Sequence, residues 1–146
     1  MSYLCGIKSK NMIKNIDHIG IAVADVAAAN TLFAKLLGRK HYKTEEVKGE
    51  GVMTAFFEVG ETKIELVAAT RTDSVVAKYI ARRGEGIHHI ALEVSDIRAE
   101  MLRLQQEGFE LLNDEPKKGA DNKLICFLHP KTTNGVLVEL CESITV

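Results

Sequence analysis

The chain has 146 residues, the length of one domain or of two small halves sharing a core, and 46% hydrophobic with 27% charged residues is an ordinary globular mix. Nineteen Lys and Arg against twenty Asp and Glu leave a net charge of −1, which excludes a global field that draws in nucleic acid or an anionic membrane. No apolar run approaches the ~20 residues of a membrane span, and the first residues lack the apolar stretch of a secretory signal.

Residues 1–15 read as an N-terminal extension, with Met12 the more natural start. Cys5, Cys126 and Cys141 stand at no metal-ligand spacing and read as reduced thiols of a cytoplasmic protein. Over 16–23, Ile19, Ile21 and Val23 alternate with His18, Gly20 and Ala22, the period of a strand with one buried face. Asp25 is placed to cap a helix with Val26, Ala29, Phe33, Leu36 and Leu37 on one side, and Gly38 stands where a left-handed C-cap belongs. Segments 52–59 and 62–67 flank Gly60-Glu61, a two-residue hairpin signal. Asp73 is read as the cap of a short helix over 74–82 that ends before Gly84-Glu85-Gly86. A strand follows at 87–94, then a cap at Ser95 or Asp96 and a helix with Ile97, Met101 and Leu104 on one face, closed by Gly108. Strands over 124–128 and 136–141 end the pattern.

The second half repeats the first. Ile16, His18, Ile19, Val23 and Asp25 recur 71 positions on as Ile87, His89, Ile90, Val94 and Asp96. Gly38 and Gly108 are 70 apart, as are Phe57 and Phe127, and Lys63-Ile64-Glu65-Leu66 falls on Leu137-Val138-Glu139-Leu140 at an offset of 74. Agreement in order at four places, each inside the same kind of element, argues for two copies of one unit. The expectation is an α+β fold, a single domain over 16–142. In it two βαβββ modules, about 16–70 and 87–142, are joined by a helical linker over 71–86 and form a curved mixed sheet.

Strand parity then singles out four polar residues. If the bulky aliphatics face the helices, then His18, His89, Glu65 and Glu139 all lie on the opposite face, two per copy at matching positions. A lone strand histidine or glutamate is ordinarily packed or solvated; recurrence in both copies points instead to a shared cleft. Two imidazoles and two carboxylates around one point suit a divalent ion such as Zn, Co, Mn, Ni or Fe, with two positions left open in a six-coordinate geometry. By the same parity His88 points toward the helices and is structural, while His41 and His129 read as loop residues. There is no phosphate-binding glycine loop, no C-x-x-C and no G-x-S-x-G elbow.

Five stretches carry a resemblance: IDHIGIAVAD (16–25), GETKIELV (60–67), DSVVAKYIARRGEGIHHIALEVSDI (73–97), DEPKKGA (114–120) and FLHPKTTNGVLVELCE (127–142). They resemble the methylmalonyl-CoA epimerase family of the vicinal oxygen chelate superfamily, whose other members include glyoxalase I and extradiol dioxygenases. The resemblance implies the vicinal oxygen chelate fold, with His18, Glu65, His89 and Glu139 as ligands of one divalent metal ion, Co2+, Zn2+, Mn2+ or Ni2+. It implies interconversion of (2R)- and (2S)-methylmalonyl-CoA by removal and return of the α-proton through a metal-stabilised enolate. Glu139 and Glu65 are the catalytic candidates, the partner is an acyl-CoA, and the assembly is a cytoplasmic homodimer binding neither nucleic acid nor membrane. Some relatives carry a glutamate where this chain has Thr54, so the second proton transfer falls to Glu65, Glu50 or a bound water. Lys117, Lys118 and Arg82 are candidates to meet the phosphates of the coenzyme. The alternatives are a glyoxalase I-like lactoylglutathione lyase and a non-catalytic small-molecule binding protein of the same fold.

Overall fold

In the computed structural model, which describes residues 12–145, the first element is β1 (Ile13–Ala22), so part of the expected extension is strand. Cys5 and residues 1–11 lie outside the described residues. Asp25 accepts hydrogen bonds from the amides of Ala27 and Ala28 and opens α1 (Val26–Leu37), which Gly38 closes at φ +72°. Next come β2 (Lys43–Val47), β3 (Val52–Val59) and β4 (Thr62–Ala69). Ser74, not Asp73, caps α2 (Val75–Arg83), its hydroxyl accepting from the Ala77 amide. β5 (Gly86–Val94) leads through the Asp96 cap into α3 (Ile97–Gln106). A two-residue β6 (Lys117–Lys118), β7 (Lys123–Leu128) and β8 (Val138–Ser143) complete the chain. The last strand starts two residues later than its alternation suggests, after a one-turn 3-10 helix at Pro130–Thr132 and a positive φ at Gly135.

The strands form one curved mixed sheet in the order β2-β3-β4-β1-β5-β8-β7-β6. β1 runs parallel to β4 and β5 parallel to β8, while β1 and β5 meet antiparallel at the centre. Each half is thus a βαβββ unit, and the order of the second mirrors that of the first. Only α2 belongs to neither unit.

One face of each half is covered by its own helix. Val26, Ala29, Phe33 and Leu37 of α1 pack over Val23, Ala55, Phe57 and Leu66. Ile97, Met101 and Leu104 of α3 pack over Val94, Cys126, Leu128 and Leu140. The register corrects one pairing read from sequence: Phe56 opposes Glu65 as Phe127 opposes Glu139, so the counterpart of Phe127 is Phe56. Phe57 points the other way, into the α1 core beside Phe33. Because Phe57 is fully buried there, Phe57→Ala is expected to cost about 3–5 kcal/mol. Urea denaturation measures this directly, and a loss under about 1 kcal/mol would contradict the packing described.

Candidate metal centre

The uncovered face of the sheet is where the two copies converge. Across β4-β1-β5, Glu65 is level with Gly20 and Gly20 with His89. Across β1-β5-β8, His18 is level with Ala91 and Ala91 with Glu139. Two adjacent rows therefore each present one imidazole and one carboxylate, separated by the smallest side chains in the ladder. Gly20 has to be small: a Cβ there would lie 2.1 Å from Cε1 of His89. All four donor residues are buried.

Their donor atoms meet at close range. His18 Nε2 is 3.0 Å from His89 Nε2, 2.9 Å from Glu65 Oε1 and 3.6 Å from Glu139 Oε1. His89 Nε2 is 3.2 Å from Glu139 Oε1 and 3.7 Å from Glu65 Oε1. Metal–ligand bonds of about 2.1 Å place neighbouring donors roughly 3.0–3.4 Å apart around one ion, so these spacings fit a single cation. His18, His89 and Glu139 form a cluster able to hold one, and Glu65 approaches the same two nitrogens as closely.

The charges are set by burial and pairing. Burial alone would raise both carboxyl groups, but hydrogen bonds with His18 and His89 hold Glu65 down at about 2 and Glu139 below its ordinary value. Burial likewise opposes charge on the imidazoles. The hydrogen bonds of Asp17, Glu139 and Glu65 nevertheless raise His18 well above the usual range, and Glu139 and Glu65 raise His89. The centre thus stabilises positive charge.

Two residues beside the quartet escape the sequence reading for one reason. The β1–β5 ladder skips a residue on β1 between Ile16 and His18, and one on β5 between Ile87 and His89. These β-bulges turn Asp17 and His88 out of strict alternation and into the cavity. Asp17 Oδ2 lies 2.8 Å from His18 Nδ1, which leaves Nε2 free to bind a cation. Lys63 and Lys123 balance its charge at 3.1 and 3.4 Å, and Asp17 is held below the usual carboxylate range: burial opposes this, His18 and the lysines outweigh it. His88 does not face α1 or α3; it lines the cavity and packs against Tyr79 of α2. Its Nδ1 lies 2.9 Å from His89 Nδ1, and burial with the neighbouring His89 charge lowers it to about 4.

The cavity above the quartet measures about 250 Å³ and is also lined by Thr54, Phe56, Phe127 and Glu50. Thr54 is buried, and its hydroxyl donates to the Glu45 carbonyl across β2–β3. Glu50, on the turn before β3, pairs with Lys117 of β6 at 2.7 Å, joining the two modules across the cavity. Lys118 is exposed, and Arg82 lies in a second, adjoining cavity. His41 packs against Phe57, and His129 caps the 3-10 helix.

A family model described as the Glyoxalase/Bleomycin resistance protein/Dioxygenase superfamily matches residues 17–127. The chain is 40% identical over 131 residues to the ethylmalonyl-CoA/methylmalonyl-CoA epimerase of Cereibacter sphaeroides, covering 88% of this chain and 98% of that one. It belongs to the methylmalonyl-CoA epimerase family of that superfamily. Two solved members share its fold. The methylmalonyl-CoA epimerase of Mycobacterium tuberculosis aligns with a TM-score of 0.89 at 34% identity, over 95% of this chain and 94% of that one. A point variant of the Streptomyces coelicolor methylmalonyl-CoA epimerase, in complex with 2-nitronate-propionyl-CoA, aligns at 0.88 and 37% identity, over 92% and 97%. As a member of this epimerase family the protein is an isomerase. Among its described residues no helix is long and apolar enough to cross a membrane.

Two substitutions test the geometry. Gly20→Ala pushes a methyl group into the His89 ring and is expected to weaken Mn2+ or Co2+ binding at least tenfold by calorimetry, with the circular dichroism spectrum retained. Wild-type affinity in that variant would show that His89 is not held as described. Asp17→Asn removes the anion behind His18 and is expected to lower the same affinity by about 10–100-fold; an unchanged value would remove Asp17 from this role.

Proposed function

We propose that the protein interconverts the (2R) and (2S) forms of methylmalonyl-CoA. The observation that carries this reading is the duplicated His/Glu quartet at the floor of a cavity, in a chain 40% identical to an ethylmalonyl-CoA/methylmalonyl-CoA epimerase. On this reading His18, Glu65, His89 and Glu139 hold one divalent ion, and Co2+, Zn2+, Mn2+ and Ni2+ all suit two nitrogen and two oxygen donors. When bound, such an ion supplies Lewis acidity, stabilising negative charge that develops on a carbonyl oxygen.

The chain's own residues move the proton. The α-hydrogen of the substrate sits between a thioester and a carboxylate, so it is acidic enough for a weak base. Glu139, ionised in its buried setting, takes that proton from one face of the carbon. The proton returned to the opposite face, which inverts the carbon, passes through Glu65, on the matching strand of the other module, after that ionised carboxylate has taken it from water. Thr54 takes no part in this, because a threonine has no carboxylate and its hydroxyl is committed to Glu45. Glu50, paired with Lys117 beside the cavity, is the reserve candidate for the second transfer. The same reading makes the protein a homodimer in the cytoplasm.

The test is exchange of the substrate α-hydrogen with D2O, followed by proton NMR on protein loaded with each of the four ions. Wild type is expected to exchange, and Glu139→Gln to be slower by about 10²–10⁴-fold. Full exchange in the Gln variant would remove Glu139 from proton transfer. No exchange by wild type with any of the ions would end the epimerase reading.

A further inference from the structure

We propose that His88 is a positioning residue for His89: it accepts the Nδ1–H of His89, which frees Nε2 of that ring for the cation and leaves the Nε2–H of His88 as a fixed donor in the cavity. This rests on the reading above, in which His89 holds a divalent ion, and adds what stands behind that ligand.

The geometry leaves His89 one partner at Nδ1. Its Nε2 is directed at His18, Glu65 and Glu139. Its Nδ1 lies 2.9 Å from Nδ1 of His88, that atom's only hydrogen-bond partner among the described residues. The two rings stand nearly perpendicular, at 89°, with centroids 5.2 Å apart. The His89 ring has no room to turn away. Gly20 lies against one side, where a Cβ would be 2.1 Å from Cε1 and 2.5 Å from Nδ1, and Phe127 packs edge-on at 5.8 Å. His88 is held in turn by Tyr79 of α2, T-shaped at 4.9 Å, whose hydroxyl donates to the Ile87 carbonyl.

Two nitrogens facing each other at this distance share one hydrogen. If it belongs to Nδ1 of His88, Nδ1 of His89 is the acceptor. The proton of the neutral His89 ring then sits on Nε2 and blocks the lone pair that a metal needs. A doubly protonated His88 has the same effect. Only the other arrangement, with His89 donating from Nδ1, presents a free lone pair to the cation. His88 then carries its own hydrogen on Nε2, an atom that makes no hydrogen bond with a described residue, on a side chain that lines the cavity. The tautomers of the two rings are therefore coupled, and a cation at the quartet fixes both. Asp17 does the corresponding work behind His18, but an ionised carboxylate only accepts, whereas the ring behind His89 has to be set in the accepting form.

The test is a two-bond 15N–1H correlation spectrum of wild-type protein labelled at its histidines, recorded with Zn2+. His88 is expected to show a protonated Nε2 and an unprotonated Nδ1; a protonated Nδ1 on His88 in the zinc form overturns the proposal. Three variants then separate acceptor from packing. His88→Phe keeps a ring against Tyr79 without an acceptor, and His88→Ala keeps neither. Both are expected to weaken Zn2+ binding by about 10–100-fold in calorimetry, whereas His88→Asn, whose Oδ1 stands where Nδ1 stood, is expected to stay within about threefold of wild type. Wild-type affinity in the Phe and Ala variants, or an equal loss in all three, overturns the proposal, because His88 would then do no more than fill space. Wild type that takes up no Zn2+ overturns the metal reading itself, and this proposal with it. A zinc form with His88 protonated at Nε2 that exchanges no α-hydrogen would support the proposal and overturn the epimerase reading alone.

Discussion

Gly20 and Ala91 set the spacing of the His/Glu quartet. Each lies between a histidine and a glutamate on flanking strands, and each leaves the room into which those longer side chains lean. Strands in a sheet are about 4.8 Å apart, so donors two strands distant start nearly 10 Å from one another. His18 and Glu139, and likewise His89 and Glu65, meet within 4 Å only because the residue between them projects almost nothing and the sheet curves. A methyl group at Gly20 is already too much, whereas Ala91 is fully buried without obstructing either neighbour. The arrangement of the quartet is thus a property of the register, which the two helices fix from the other side by burying Leu66 and Leu140, each next in sequence to one of the two glutamates.

The two imidazoles occupy equivalent places but differ in what stands behind them. His18 faces an anion, Asp17, whose charge Lys63 and Lys123 offset. His89 faces the neutral ring of His88. With Asp17 balanced in this way, Glu65 and Glu139 are left as the two negative charges that a divalent ion would match. A third uncompensated carboxylate this deep would cost several kcal/mol.

What could be read from the residues follows from duplication. One strand with a histidine on its outer face says little, but His18 with His89 and Glu65 with Glu139 at matching points carries the fold, the face and the quartet together. What could not be read is where the duplicated strands depart from regular alternation. Parity counting assumes an unbroken ladder, and the bulges at Asp17 and His88 break it beside the histidines, so parity sends His88 to the wrong side and leaves Asp17 unread. β2 shows no amphipathic period because Lys43-Thr44-Glu45-Glu46 is polar and the strand exists through its pairing with β3 at the sheet edge. Phe56 and Phe57 are equally apolar neighbours, and only the register separates the one beside Glu65 from the one under α1.

On the function proposed here, symmetry and its violation divide the work. Inverting one carbon requires acid and base groups on opposite faces, and a floor built from two copies of one module supplies a carboxylate from each. α2 breaks that symmetry: it belongs to neither copy, and it walls the cavity with Val75 and Val76. A fold assembled from two α2-less copies would present the same floor with nothing to tell one end of the cavity from the other. The linker between the modules is therefore the element that makes the surroundings of a symmetric quartet one-sided.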